Sequence, residues 1–153
     1  MTTSIDAFWH ECRASIDGLP EEAPEAWSFG ATAAHADELL DLVLAGVKTA
    51  TASSLWDYEH TGEALPEPGL LNIILDGRRN PRALLETVSV EIVPFNEVSD
   101  EHAYAEGEDD RTLASWRGVH ECFWRAHSQS PKGFRPDMPV LCEQFQLLYA
   151  ARP

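Results

Sequence analysis

The sequence predicts an α+β fold in which a small, closed or nearly closed β-barrel carries helices on its outside. Three observations support this prediction: two amphipathic helical patterns near the N-terminus, apolar alternation in two later segments, and strands contributed from both ends of the chain. A chain of 153 residues suits one domain, and it can bury a sizeable core without disulfides or metals.

The first two helices are predicted from apolar stripes at helical spacing. Ser4–Ser15 carries apolar residues at i, i+3, i+4 and i+7, which places them on one face. Leu19–Ala26 holds two prolines and three glutamates, so residues 1–26 are predicted to be an N-terminal helix and a linker. Ala33–Ala45 has a second apolar face and is ended by Gly46.

Strands dominate the middle of the chain. Lys48–Ser53 is short and rich in β-forming residues, and Ser54–Thr61 after it is predicted to be a short helix. Leu70–Leu75 is a near-continuous apolar run, which is typical of a strand buried on both faces. Ala83–Val93 alternates between apolar and polar residues, as a strand with one buried face does.

Two helices and a last strand complete the prediction. Asp100–Glu106 is a short helix ended by Gly107, and Thr112–His127 is a longer one. Val140–Tyr149 alternates at period two and supplies the final strand.

The charge argues against long nucleic acids as partners. The chain has 26 Asp and Glu against 11 Lys and Arg, so its formal net charge is −15. Because non-specific nucleic-acid binding rests on neutralising phosphates, a single nucleoside fits this charge better than a long RNA. Arg78, Arg79 and Arg82 cluster in one segment and could still form a local basic patch.

The sequence shows neither a membrane-spanning run nor a disulfide framework. No apolar stretch approaches the roughly 20 residues that a spanning helix needs, and Met1–Arg13 lacks the pattern of a signal peptide. We therefore expect a cytoplasmic protein. Its three cysteines, Cys12, Cys122 and Cys142, are far apart and are expected to be reduced thiols of the core.

Lys48 is the first candidate for chemistry, in the segment Gly46–Thr51 where a helix passes into a strand. It is one of only two lysines. In one interpretation it satisfies carbonyls at the helix end, and in the other it points into a pocket. In a regular strand residues i and i+3 face opposite sides, so Lys48 and Thr51 converge only if Lys48 lies in the turn.

The acidic run from Glu106 to Asp110 has a structural explanation. Asp109 and Asp110 precede the Thr112–His127 helix, where the helix dipole stabilises anions. The run lacks the alternating ligand spacing of a calcium loop, and we predict no metal there. Motifs for phosphate or dinucleotide binding are missing, so no cofactor is expected.

A mixed apolar and polar stripe marks the helix before His127. Leu113, Arg117, His120 and Trp124 follow at i, i+4, i+7 and i+11. A cation on such a face is either paired in a structural ion pair or faces a ligand beside Trp116. Both readings remain open for Arg117.

Four motifs stand out together. They are Trp27-x-Phe29-Gly30, Gly46-x-Lys48-Thr49-x-Thr51, His102-Ala103-x-x-Glu106 and Glu106-Gly107-Glu108-x-Asp110-Arg111-x-Leu113-x-x-Trp116-Arg117-x-x-His120. This set resembles the ASCH domain, a PUA-like barrel family, in its longer bacterial branch. The resemblance covers about Trp27 to Tyr149, which makes residues 27–153 the ASCH (PUA-like) domain.

The resemblance implies a β-barrel and a nucleoside or RNA ligand. Small bacterial members of the family are amidohydrolases that remove the acetyl group from acetylcytidine, and their catalytic Lys, Thr and Glu match Lys48, Thr51 and Glu106. The candidate substrate-binding residues are Trp27, Phe29, Trp116, Arg117 and His120. The resemblance implies a modified nucleoside or a short RNA as partner, and neither DNA nor a membrane is expected. The oligomeric state is left open.

Two catalytic schemes follow for that set. Thr51 would attack an amide carbonyl and form an acyl-enzyme. If Lys48 and Glu106 touch, Glu106 is favoured as the base and Lys48 as the cation facing the oxyanion. If they do not touch, Lys48 could itself be the base. A non-catalytic RNA- or nucleotide-binding module and a metal-dependent ribonuclease are the alternatives.

Overall fold

The computed structural model describes residues 4–151. The helices are α1 (Ile5–Ser15), α2 (Ala33–Leu44), α3 (Leu55–Thr61), α4 (Asp100–Glu106) and α5 (Leu113–His127). The strands are β1 (Ala26–Trp27), β2 (Ala50–Ser54), β3 (Leu71–Leu75), β4 (Pro81–Pro94) and β5 (Pro139–Ala150). A 3-10 turn spans Phe95–Glu97. None of the helices in this described range is long and apolar enough to cross a membrane.

The five strands form one mixed sheet in the order β1-β3-β4-β5-β2. β1 pairs with β3 in parallel, whereas β3 with β4 and β2 with β5 are antiparallel. The predicted α+β class is therefore confirmed. The edge strands β1 and β2 are not paired with each other within residues 4–151, so the sheet is open and the closed barrel is not confirmed.

The chain divides into two compact units, each with its own core. The first unit comprises the described parts of residues 1–46, 69–86 and 146–153. In it, the apolar stripe of α1 packs on β3 and on the start of β4. The buried members of this cluster are Phe8, Trp9, Cys12, Ile73, Leu75 and Leu84.

The second unit comprises residues 47–68 and 87–145. Its core is aromatic and lies between α4, α5 and the strand residues of the unit. The buried members are Phe95, Val98, Ala103, Trp116, Trp124, Met138, Val140 and Cys142. The side chains of Ser99 and Thr112 cap α4 and α5 by accepting backbone N–H bonds, so both helices begin within one residue of the predicted start.

The cysteines only partly follow the prediction of core thiols. Cys12 and Cys142 are buried, and burial raises the pKa of Cys12 to about 11. Burial and the charges of Glu106 and Glu91 raise the pKa of Cys142 to about 12. Cys122 is exposed, so the prediction was wrong for this residue. It lies on the side of α5 that faces away from the aromatic core.

We expect Gly107→Ala to destabilise the protein more than Gly62→Ala. Both glycines end a helix with nearly the same positive φ, +74° and +76°, so both changes carry a similar strain of about 1–2 kcal/mol. A Cβ at Gly107 would lie 2.8 Å from the backbone oxygen of Val47, whereas one at Gly62 would meet nothing within 4 Å. Urea unfolding of the two variants measures the difference. Equal losses of stability would contradict the close backbone approach.

Candidate functional site

Four of the residues predicted for the site meet in the second unit: Lys48, Glu106, Trp116 and His120. The segment before β2 reaches them because it runs along the end of α4. There the Thr49 N–H donates to the Ala105 carbonyl at 2.8 Å. Lys48 therefore lies in the irregular segment between α2 and β2, so the prediction that a strand begins at Lys48 was wrong.

Glu106 is the centre of this cluster. Its Oε2 accepts hydrogen bonds from His102 Nε2 and from Trp116 Nε1, both at 2.6 Å. Its Oε1 lies 3.2 Å from His120 Nε2 and 3.8 Å from Lys48 Nζ. The side chain is 1% exposed. Four donors thus surround one buried carboxylate.

Glu106 stays ionised in this setting. Burial alone would raise its pKa, but the hydrogen bonds from His102 and His120, together with the charges of His120 and Lys48, hold the pKa well below its usual range. A carboxylate with a low pKa and occupied lone pairs is a weak proton acceptor. Glu106 is thus an ionised carboxylate whose hydrogen bonds hold the neighbouring side chains in place.

Lys48 is equally engaged. Its Nζ donates to the Ala50 carbonyl at 3.0 Å, to Glu108 Oε2 at 3.1 Å and to the Glu106 carbonyl at 3.4 Å. The side chain is 1% exposed. An ammonium has three protons to donate, and three acceptors are within reach. Lys48 acts here as a buried cation that joins α4 to the segment before β2.

His120 is placed to carry a proton. Its ring stacks on Trp116 with centroids 4.2 Å apart, and its Nδ1 lies 2.8 Å from the Trp116 carbonyl oxygen. With Nε2 facing Glu106, both ring nitrogens face acceptors. Burial by itself lowers the pKa of His120, but the hydrogen bond and the charge of Glu106 outweigh it and raise the pKa above its ordinary value.

The same residues offer a possible donor set for a metal. Among the described residues, donor atoms of Glu106, Glu108 and His120 lie within 4.8 Å of one another. The ammonium of Lys48 is already 3.1 Å and 3.8 Å from the two carboxylates. The cluster therefore carries its own cation, and we assign no metal to it.

Thr51 points away from this cluster. In β2 it alternates with Ala50 and Ala52, and Ala52 packs against the aromatic core that contains Trp116. Thr51 lies directly opposite Glu143 of β5. The structure brings Lys48 and Glu106 together, but it gives the Thr51 hydroxyl no hydrogen bond to either.

The remaining candidate residues have structural partners. Arg117 Nη2 donates to the Asn96 carbonyl at 3.0 Å, while its Nε is buried without a partner among the described residues. Trp27 and Phe29 belong to the first unit, where their rings make an edge contact at 4.8 Å. The Trp27 indole N–H donates to Asn72 Oδ1 at 2.9 Å.

A polar cavity of about 180 Å³ lies beside His102. Its nine lining residues are Ser89, Glu91, Val93, Glu97, Ser99, Glu101, His102, Cys142 and Gln144. Sequence reasoning did not find this cavity. One signal was available, since His102 belongs to the same motif as Glu106, but only Glu106 was selected from it.

We predict that Lys48→Met and Glu106→Gln each destabilise the protein strongly, by about 3–5 kcal/mol, because each removes one charge from a buried cluster of mutually stabilising charged groups. The double variant should lose less than the sum, because the two groups are in contact. The measurement is the free energy of urea unfolding. The exposed pair Glu121–Arg125, with N···O at 2.9 Å, is the matched control and should contribute about 0.3–0.5 kcal/mol. Additive losses for Lys48 and Glu106 would show that their contact contributes nothing.

We also predict that His120→Gln removes part of the pH dependence of stability. Folding raises the pKa of His120, so the folded state holds this proton more tightly than the unfolded state. The resulting stabilisation is fully present below the unfolded pKa of about 6.5 and is lost as pH rises through the raised pKa. One proton gives at most about 1.4 kcal/mol per pH unit. Stability curves of wild type, His120→Gln and the exposed-site control His10→Gln test this. Unchanged slopes in His120→Gln would contradict it.

Comparisons with known protein families and solved structures identify similar proteins. The ASCH domain family matches residues 25–149. The structure of an ASCH domain from Lactobacillus crispatus JV V101 is similar with a TM-score of 0.85 and 29% identity, covering 93% of this chain and 92% of that one.

A protein from Enterococcus faecalis V583 is similar with a TM-score of 0.84 and 37% identity, covering 94% of this chain and 86% of that one. The comparison with curated proteins gave no match. The family match spans most of the chain, and the similar ASCH domain structure covers nearly its whole length. The chain therefore belongs to the ASCH domain family.

Proposed function

We propose that the second unit binds a small ligand of the nucleoside type, with its base in the cavity beside His102. The volume of about 180 Å³ is the first support. An apolar protein cavity of about 150 Å³ is known to hold one benzene ring, so this cavity suits one six-membered heterocycle.

The observation that carries the proposal is the position of His102. The residue is 7% exposed, its Nε2 lies 2.6 Å from Glu106 Oε2, and the residue is one of those that line the cavity. A cavity residue that is fixed by such a hydrogen bond is preorganised for a ligand. Such convergence of a few polar groups on a cavity is typical of small-molecule sites.

The lining favours a base with an amino group over a phosphate. Glu91, Glu97 and Glu101 supply carboxylate acceptors, and Gln144 adds an amide. None of the nine lining residues is a lysine or an arginine. Carboxylates accept hydrogen bonds from amino groups and repel phosphates. The net charge of −15 acts in the same direction against long RNA.

We predict that cytidine and acetylcytidine bind to the protein, and that Ser89→Phe weakens this binding by about tenfold or more by filling the cavity. Val88→Phe is the matched control, because Val88 is the adjacent residue of β4, is 50% exposed and does not line the cavity. Calorimetric titration measures both, with a short RNA as the competing ligand. Equal binding by the two variants, or binding of RNA alone, would contradict the proposal.

Amide hydrolysis of an acylated nucleoside is the second candidate. It is favoured by the Thr51 hydroxyl, which is partly exposed and lies opposite a carboxylate on β5. Incubation with acetylcytidine and with short RNAs, each with and without EDTA, separates this activity from a metal-dependent ribonuclease. Deacetylation that persists in EDTA is the expected result. RNA cleavage that EDTA abolishes would favour the ribonuclease instead.

A further inference from the structure

We infer that Glu143, and not Glu106, is the general base that serves Thr51. The inference rests on the second function proposed above, the hydrolysis of an amide. It follows from the contacts of the Lys48–Glu106 cluster, the register of β2 on β5, and the surroundings of Glu143.

Neither Glu106 nor Lys48 is available to take a proton from Thr51. The Glu106 carboxylate is surrounded by the donors of His102, Trp116, His120 and Lys48. The Lys48 ammonium donates to two backbone carbonyls and to Glu108. A proton acceptor needs a lone pair directed at the nucleophile, whereas the contacts of these two groups lie within the cluster and neither group has a hydrogen bond to Thr51.

The strand register places a different carboxylate at Thr51. β2 and β5 pair without a slip from Ala50↔Gln144 to Ser54↔Val140, and Thr51 pairs with Glu143. Directly opposed residues of antiparallel strands have Cβ atoms about 4.5–5.5 Å apart on the same face. A glutamate and a threonine at that separation can form a hydrogen bond by side-chain rotation.

One carboxylate oxygen of Glu143 accepts a hydrogen bond, and the other accepts none from the described residues. Its Oε1 accepts a hydrogen bond of 2.6 Å from the Thr87 hydroxyl. Its Oε2 has no hydrogen bond or ion pair to any residue in the described range, and neither has the Thr51 hydroxyl. Thr87 is 2% exposed, and its hydrogen bond makes it a positioning residue for the Glu143 carboxylate.

The environment also makes Glu143 a stronger base than an ordinary carboxylate. Burial raises the pKa of Glu143, and the Thr87 hydrogen bond only partly offsets this. A carboxylate with a raised pKa accepts protons more readily near neutral pH than an ordinary one. This is the opposite of Glu106, whose neighbours lower its pKa.

Thr51 and Glu143 together account for every proton transfer of the reaction. Glu143 takes the proton of the Thr51 hydroxyl as the oxygen forms a bond to the amide carbonyl carbon. The carbon–nitrogen bond then breaks, and the proton passes from Glu143 to the leaving amine. Water attacks the acyl-Thr51 ester, gives one proton to Glu143, and the ester bond breaks. That proton returns to the Thr51 oxygen.

The test uses an activated ester, 4-nitrophenyl acetate, which acylates a reactive hydroxyl whatever the natural substrate is. We expect acetyl-Thr51, identified by peptide mass spectrometry, and a rate that falls about a hundredfold in Glu143→Gln. Ser53→Ala is the matched control, since Ser53 lies two residues along the same face of β2, opposite Leu141, and should leave the rate unchanged. Thermal unfolding of each variant shows that it is folded.

Thr87→Val adds a readout that a merely structural role would not move. The Thr87 hydrogen bond favours the ionised carboxylate, so its loss should shift the pH–rate profile to higher pH. Absence of acetyl-Thr51, or equal acylation in wild type and Glu143→Gln, overturns the inference. Thr51 acylation that needs Glu143, without turnover of acetylcytidine, leaves the inference in place and rejects the proposed substrate.

Discussion

The second unit is organised around the need to satisfy one buried anion. Glu106 is 1% exposed, and an unpaired carboxylate at that depth would cost an amount comparable with the net stability of a domain. The chain meets the requirement from three places: α4 supplies His102, α5 supplies Trp116 and His120, and the segment before β2 supplies Lys48. Each donor has its geometry fixed by the anion, and the anion has its ionisation fixed by the donors.

The residues that carry the family resemblance differ from the residues whose polar groups remain available for a ligand. Lys48 and Glu106 carry the resemblance most clearly, and the polar atoms of both side chains are bound within the buried cluster. The polar groups that remain available lie elsewhere, at the cavity beside His102 and on the face of β2 that carries Thr51. A buried polar network of this kind is costly to dismantle once it is complete.

The sequence predicted what is local and periodic. The helices α1, α2 and α5 were found within a residue or two because their apolar stripes extend over three turns or more. The two-residue strand β1 has no period to detect. The opening of the sheet and the pairing of Thr51 with Glu143 depend on contacts between segments far apart in the chain, which a single sequence does not encode as a local pattern. The meeting of Lys48 with Glu106, 58 positions apart, was reached only through the family resemblance.

The stack of Trp116 on His120 has an optical consequence. Indole emission is quenched when a protonated imidazole lies in van der Waals contact with the ring, and these two rings are nearly parallel, with planes 19° apart. The same indole donates its N–H to Glu106. Trp116 is therefore an intrinsic fluorophore coupled at its face to the proton on His120 and at its edge to the buried carboxylate. Its emission would report the charge state of the cluster from inside the protein, with no label attached.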